Sequence, residues 1–250
     1  MGRWPKRLKM MRISKFAIII CLLLAIVFAG FTVYGARTGN FVIFVQPEEG
    51  IDIQIYMKED KSDIGTHLSV PTLKEWTNYT YGLLRHRDLV SGLGPKNDDN
   101  HIGGVYNRYM CFSFMIVNMG ERDVDFLFEM TISDSERGSG GGDPIKAMRV
   151  NVIEEENKFE DGTVYAFAEE TEEGRELLSK PNEVRGYIPY ETKDFITLTQ
   201  VCSERFLDLK IGEERKFTVI IWLEGQDIEC VDNLFGGRLQ MRLDITGVAN

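Results

Sequence analysis

From Gly39 onward, apolar residues recur at every second position, and that period dictates strands rather than helices. The clearest case is the last stretch, where Leu239, Met241, Leu243 and Ile245 alternate with Arg238, Gln240, Arg242 and Asp244. Phe217, Val219, Ile221 and Leu223 face one way, with Lys216, Thr218 and Ile220 opposite. Val124, Phe126, Phe128, Met130 and Ile132 alternate with Asp125, Leu127, Glu129 and Thr131. Met148, Val150 and Val152 do so with Arg149, Asn151 and Ile153, and Ile51, Ile53 and Ile55 repeat the pattern. Asn40–Val45, Thr163–Ala168 and Phe195–Val201 add shorter runs. Met110–Asn118 is apolar at most positions, as in a strand buried on both faces, with Phe112, Phe114 and Ile116 on one side.

About nine strands separated by turn residues, with little helical period, predict an all-β fold. The expected form is an antiparallel β-sandwich, jelly-roll-like. Asn118–Asp123, around Gly120, reads as a hairpin turn that would pair Met110–Val117 with Val124–Ser133. One short helix is expected at Glu172–Ser179, ended by Pro181.

Ahead of the strands stands a different kind of sequence. Arg3, Lys6, Arg7, Lys9, Arg12 and Lys15 form a basic leader over 1–15, followed by the uncharged run from Phe16 to Tyr34. At about 1.5 Å per residue, a helix of that run approaches the ~30 Å hydrocarbon core of a bilayer. No polar face interrupts it, which speaks against an amphipathic core helix. Positive charge stays on the cytoplasmic side, so the expectation is an N-terminus inside and a C-terminal domain outside. Either 16–35 remains as a single-pass anchor in the cell membrane, or signal peptidase removes it and residues 36–250 are secreted. Length favours the anchor, while Val27 with Ala29, or Val33 with Gly35, offers cleavage spacing.

All 39 acidic residues follow Gly35, so the part beyond the leader is more acidic than the whole-chain net charge of −10. Such a charge argues against nucleic acid or anionic lipid as the partner of a basic surface. Of the four cysteines, Cys21 lies in the apolar run, leaving Cys111, Cys202 and Cys230. That is an odd number, and too sparse for a disulfide-built scaffold. Three unpaired thiols are expected. Cys202 and Cys230 flank the same strand and are the candidate pair for a bridge.

Two insertions break the strand rhythm, 58–105 and 134–143. His67, His86 and His101 are scattered through the first, without the paired spacing that zinc hydrolysis requires. A Gly-x-Ser-x-Gly elbow, a Gly-x-x-x-x-Gly-Lys loop and a Cys-x-x-Cys pair are all missing. No catalytic residue and no cofactor is therefore assigned. Oxygen-rich loops provide weak calcium candidates at Asp98 and Asp99, and at Asp134, Glu136 and Asp143. Neither has the regular twelve-residue ligand spacing. Trp222 is expected to pack on the sheet and Gly225 to permit the turn that follows. Trp76, Tyr79, Tyr81 and Tyr106 either form a sugar-binding platform or cover the sandwich.

Three stretches carry a resemblance. They are Thr38-Gly39-Asn40-Phe41-Val42-Ile43, then Cys111 to Gly120 with its Asn-x-Gly turn, and Phe217 to Cys230 with Trp-Leu-Glu-Gly-x-Asp-x-x-Cys. Their order resembles that of exported Gram-positive proteins of the TasA/camelysin family, signal-anchored β-sandwich surface proteins. The resemblance implies an extracellular location and a sandwich. It also implies matrix fibres or, for camelysin-like members, peptidase activity, for which the zinc signature is missing here.

Three classes of function remain. The first is a non-enzymatic surface or matrix protein acting by structural or adhesive contact, through self-association or a cell-wall component. The second is a wall-glycan or peptide binding module built on the insertions. The third is a metal-dependent hydrolase.

Overall fold

Alternation over most of the chain leaves each strand with one face to bury, and two sheets bury those faces against each other. The computed structural model describes residues 41–70, 77–96, 108–155, 157–167, 190–227 and 229–249. The segment from Phe16 to Tyr34 and the expected helix at Glu172–Ser179 lie outside the described residues. Among the described residues no helix is long and apolar enough to cross a membrane.

In chain order the strands are β1 (Phe41–Gln46), β2 (Ile53–Tyr56), β3 (His67–Val70) and β4 (Gly94–Lys96). They continue with β5 (Tyr109–Asn118), β6 (Val124–Glu136), β7 (Met148–Glu154) and β8 (Thr163–Ala166). The rest are β9 (Lys193–Asp194), β10 (Gln200–Leu209), β11 (Glu214–Leu223) and β12 (Arg238–Ala249). One sheet has the order β10-β6-β12-β1-β3, the other β2-β5-β11-β7-β8-β9, with β4 also paired to β5. The fold is all-β as expected, but the sheets are mixed: β1 runs parallel to β12, and β8 parallel to β9.

Between the sheets the inward residues interlock. Phe217 of β11 lies 5.3 Å from Phe128 and 5.9 Å from Phe126 of β6, ring centre to ring centre. Phe41 of β1 meets Phe112 of β5 at 4.8 Å. The opposite face of the second sheet is buried as well. Tyr109, Cys111, Ile153, Ile220 and Trp222 join Tyr79, Tyr81, Leu84 and Leu89 of the first insertion in a second apolar cluster. This is why β5 and β11 are apolar on both faces: one side meets the first sheet, the other a covering segment.

The expected hairpin at Asn118–Asp123 does not form. β5 pairs with β2 and β11, whereas β6 pairs with β10 and β12 in the other sheet, so the turn is an arch between sheets. Asn118 holds the arch. Its Nδ2 donates to the carbonyls of Arg122 and Leu209 at 2.8 and 3.0 Å, and its Oδ1 accepts from Gly120 N. Alternation reports which face of a strand is buried but not which neighbour it pairs with. Two well-patterned strands across a tight turn therefore cannot be told from an arch by pattern alone.

β10 extends to Leu209, well beyond the expected end at Val201. Register shifts between Gln200 and Cys202 and between Phe206 and Leu209 break its alternation, and Asp208 takes a positive φ of 63°. The Cys202–Cys230 bridge is not formed: Cys111, Cys202 and Cys230 all carry free thiols. Cys202 belongs to the core between the sheets, whereas Cys230 lies in the loop after β11. Flanking one strand in sequence did not bring the two together.

The second insertion begins later than expected, since 134–136 complete β6. Its glycines then wrap the residues before β12. Ser139 N donates to Phe235 O at 2.7 Å and Gly142 N to Asn233 O at 3.3 Å. A Cβ on Gly138 would stand 2.2 Å from Asn233 O, so glycine is required there by close approach.

Candidate functional site

The chemistry-bearing part of the domain is the outer face of the second sheet, where the first insertion is fastened. Three charged residues are buried here: Arg149 on β7, and Glu224 and Asp227 just after β11. Each would be costly to bury alone. Arg149 is 0% exposed and forms an ion pair with Asp227, while its Nη1 donates to the carbonyls of Lys146 and Met148. Burial works against the guanidinium charge, but Tyr190, Asp227 and Glu224 outweigh it and raise its pKa. Asp227 also accepts from Glu229 N at 2.8 Å.

Glu224 is 0% exposed and gathers four donors. Its Oε2 accepts from Tyr81 N, Trp222 Nε1 and Tyr190 OH at 3.1, 3.1 and 2.9 Å, and its Oε1 accepts from Gln226 N at 3.2 Å. The backbone continues the fastening. Tyr79 N donates to Leu223 O at 2.9 Å and Gly225 N to Tyr79 O at 2.7 Å. A Cβ on Gly225 would lie 3.3 Å from Tyr79 O and from the Asn78 side chain. Gly225 thus serves the close approach of two chains, and its φ is not in the left-handed region. Trp222 packs fully buried, as expected.

This network is a bolt for the insertion, with every carboxylate oxygen engaged by donors. Above it the four-residue helix Tyr81–Leu84 and the residues beside it open into a depression of about 700 Å³. Among the described residues its walls include Arg85, His86, Arg108, Asn78 and Gln226, and no Asp or Glu. The Arg108 guanidinium lies 5.5 Å from the Tyr79 ring centre, and Arg87 Nε donates to Tyr79 OH at 3.0 Å.

The residues singled out from sequence are dispersed. His67 sits on edge strand β3 with its ring 4.6 Å from that of Phe44, while His86 follows the Tyr81–Leu84 helix. Asp134 stands opposite Gln240 on β12, and Glu136 opposite Arg238, 3.7 Å from its guanidinium. Asp143 caps the Pro144–Ala147 helix, accepting from Ile145 N at 3.1 Å. These three acids have separate structural uses. Among the described residues no group of three or more His, Cys, Asp or Glu is placed to hold a metal ion. Asp98, Asp99 and His101 lie outside the described residues, as do Trp76 and Tyr106. Tyr79 and Tyr81 are buried and cover the sandwich.

Arg149, Glu224 and Asp227 were missed as a set. A lone charge inside an apolar strand run is the signal that could have raised Arg149, because burial of one charge demands a partner. No protein-family model matches the chain, and no curated protein matches it in sequence.

Proposed function

We propose that this chain is a non-enzymatic surface protein, held at the cell membrane by Phe16 to Tyr34 or released by cleavage, that acts through structural or adhesive contact. The observation that carries the reading is the position of β1. The first strand after the apolar segment lies inside a sheet, parallel to β12 on one side and antiparallel to β3 on the other. Phe41, Ile43 and Val45 are buried in the core. Tension arriving from the N-terminus would load the hydrogen bonds of β1 together, in shear, so the sandwich is a firm body to carry on a tether. The resemblance in sequence layout to TasA/camelysin-like exported proteins supports the same reading. So does the acidic charge beyond Gly35, which suits an exported domain.

The test is protease treatment of intact cells that express the full chain with a C-terminal epitope, combined with N-terminal sequencing of the native protein. Loss of the epitope from intact cells, with the chain in the membrane fraction or shed from it, is the expected result. An epitope protected in intact cells and cleaved only after lysis would place the sandwich inside and end the proposal.

A further inference from the structure

We infer that the depression beside the Tyr81–Leu84 helix is a binding site for an anionic glycan or polyol chain, one that carries phosphate or carboxylate groups. The inference deepens the adhesive reading, and rests on it for where such a polymer would be met.

The first argument is charge. In a chain of net charge −10, the described walls of this depression carry the guanidinium groups of Arg85 and Arg108 and no carboxylate. Among the described residues, the Arg85 side chain has His86 as its hydrogen-bond partner, Nε to Nε2 at 3.3 Å, and no acidic one. Arg85 is partly exposed, so its guanidinium can still be reached from the depression. A planar guanidinium with donors left over is suited to clasp a phosphate or carboxylate in two-pronged fashion.

The second argument is the neutral lining. Asn78, Thr80 and Gln226 flank the cations with amide and hydroxyl groups, which match the hydroxyls of a sugar or polyol. Leu83 is the exposed large apolar side chain in the described lining, and one such anchor is little for a peptide-docking groove. The third argument is rigidity. The floor is Tyr79 and Gly225, bonded to each other and bolted down by Glu224, so the walls are held in place before a ligand arrives. The volume, about 700 Å³, accommodates a few sugar or polyol units.

The test uses the full chain in neutral detergent with four labelled probes: poly(glycerol phosphate), polygalacturonate, neutral dextran and poly-glutamate. Binding to one or both of the first two, weakened by added salt, is expected, and their ranking separates a phosphate source from a carboxylate one. Arg85→Gln should weaken that binding by about tenfold or more, with thermal unfolding unchanged. Arg238→Gln, on β12 and outside the depression, should leave it as it was. Absence of binding to both poly(glycerol phosphate) and polygalacturonate would overturn the proposal, as would equal binding by Arg85→Gln. Dextran bound as tightly would remove the anion requirement, and poly-glutamate bound as tightly would remove the glycan. If binding fails while the epitope proves extracellular, the site falls and the surface reading stands. If binding holds while the epitope is protected, the reverse follows.

Discussion

Arg149 and Asp227 form a costly arrangement, because neither charge has access to water. Removing one partner strands the other, and for Arg149→Met a loss of about 3–5 kcal/mol is expected. The double substitution Arg149→Met with Asp227→Leu should recover much of that loss, and urea unfolding of the three variants completes the cycle. If the single and double variants lose the same stability, the charges are not coupled. The thiols give a second residue-level expectation, set by pH. Burial pushes Cys111 and Cys202 up to about 12, with Lys96 opposing the shift at Cys111 and the Met130 backbone opposing it at Cys202. An unfolded thiol ionises near ~8.5, so above that pH the unfolded chain holds fewer protons than the folded one. The stability is present below about 8.5 and falls as pH rises toward 12. Between pH 8 and 10.5 the urea midpoint should therefore drop, and should drop less in Cys111→Ala/Cys202→Ala. An identical drop in that variant would assign the effect to other groups.

At the scale of elements, the loops of this domain act as fasteners as much as connections. The glycine-rich segment that reads in sequence as an oxygen-rich loop is a strap closed over Asn233 and Leu234. Gly138→Ala forces a Cβ against a backbone carbonyl and should cost about 1–3 kcal/mol. Gly141 has open space around its missing Cβ and a φ of +85°, so Gly141→Ala carries only the left-handed penalty, about 1 kcal/mol. Chemical denaturation of both variants checks the order, and a reversed order would mean that the strap is free to shift. Strand existence was legible for β6, β7, β11 and β12, whose inward residues keep strict alternation. The extent of β10 was not, because its register shifts move the pattern out of phase, and β3 and β4 are too short to show a period. The edges of the two sheets approach at one corner, where Ile55 and Gly65 exchange backbone bonds at 2.8 and 3.0 Å. At the opposite side, Phe195 N donates to Ala166 O and Ile132 N to Thr199 O, so one segment ties both sheets.

For the molecule as a whole, the consequence is that its first described strand is integral to the core. Ile43→Asp places a charge where exposure is 0% and should prevent folding. Val42→Thr, on the partly exposed face of the same strand, should be tolerated. Circular dichroism and protease resistance distinguish the two outcomes, and a folded Ile43→Asp chain would show that β1 is dispensable. The sequence by itself determined the class of fold, the inward residue set and the separation of a basic, apolar leader from an acidic domain. Those are properties of period and composition, which survive without knowledge of any neighbour. Only the tertiary structure decided that β5 and β6 part company, that Arg149 meets Asp227, and that Arg85, His86 and Arg108 share one depression. Each of these is a pairing between distant positions. Such pairings are chosen by how whole faces fit together and by the need of every buried charge and backbone group for a partner.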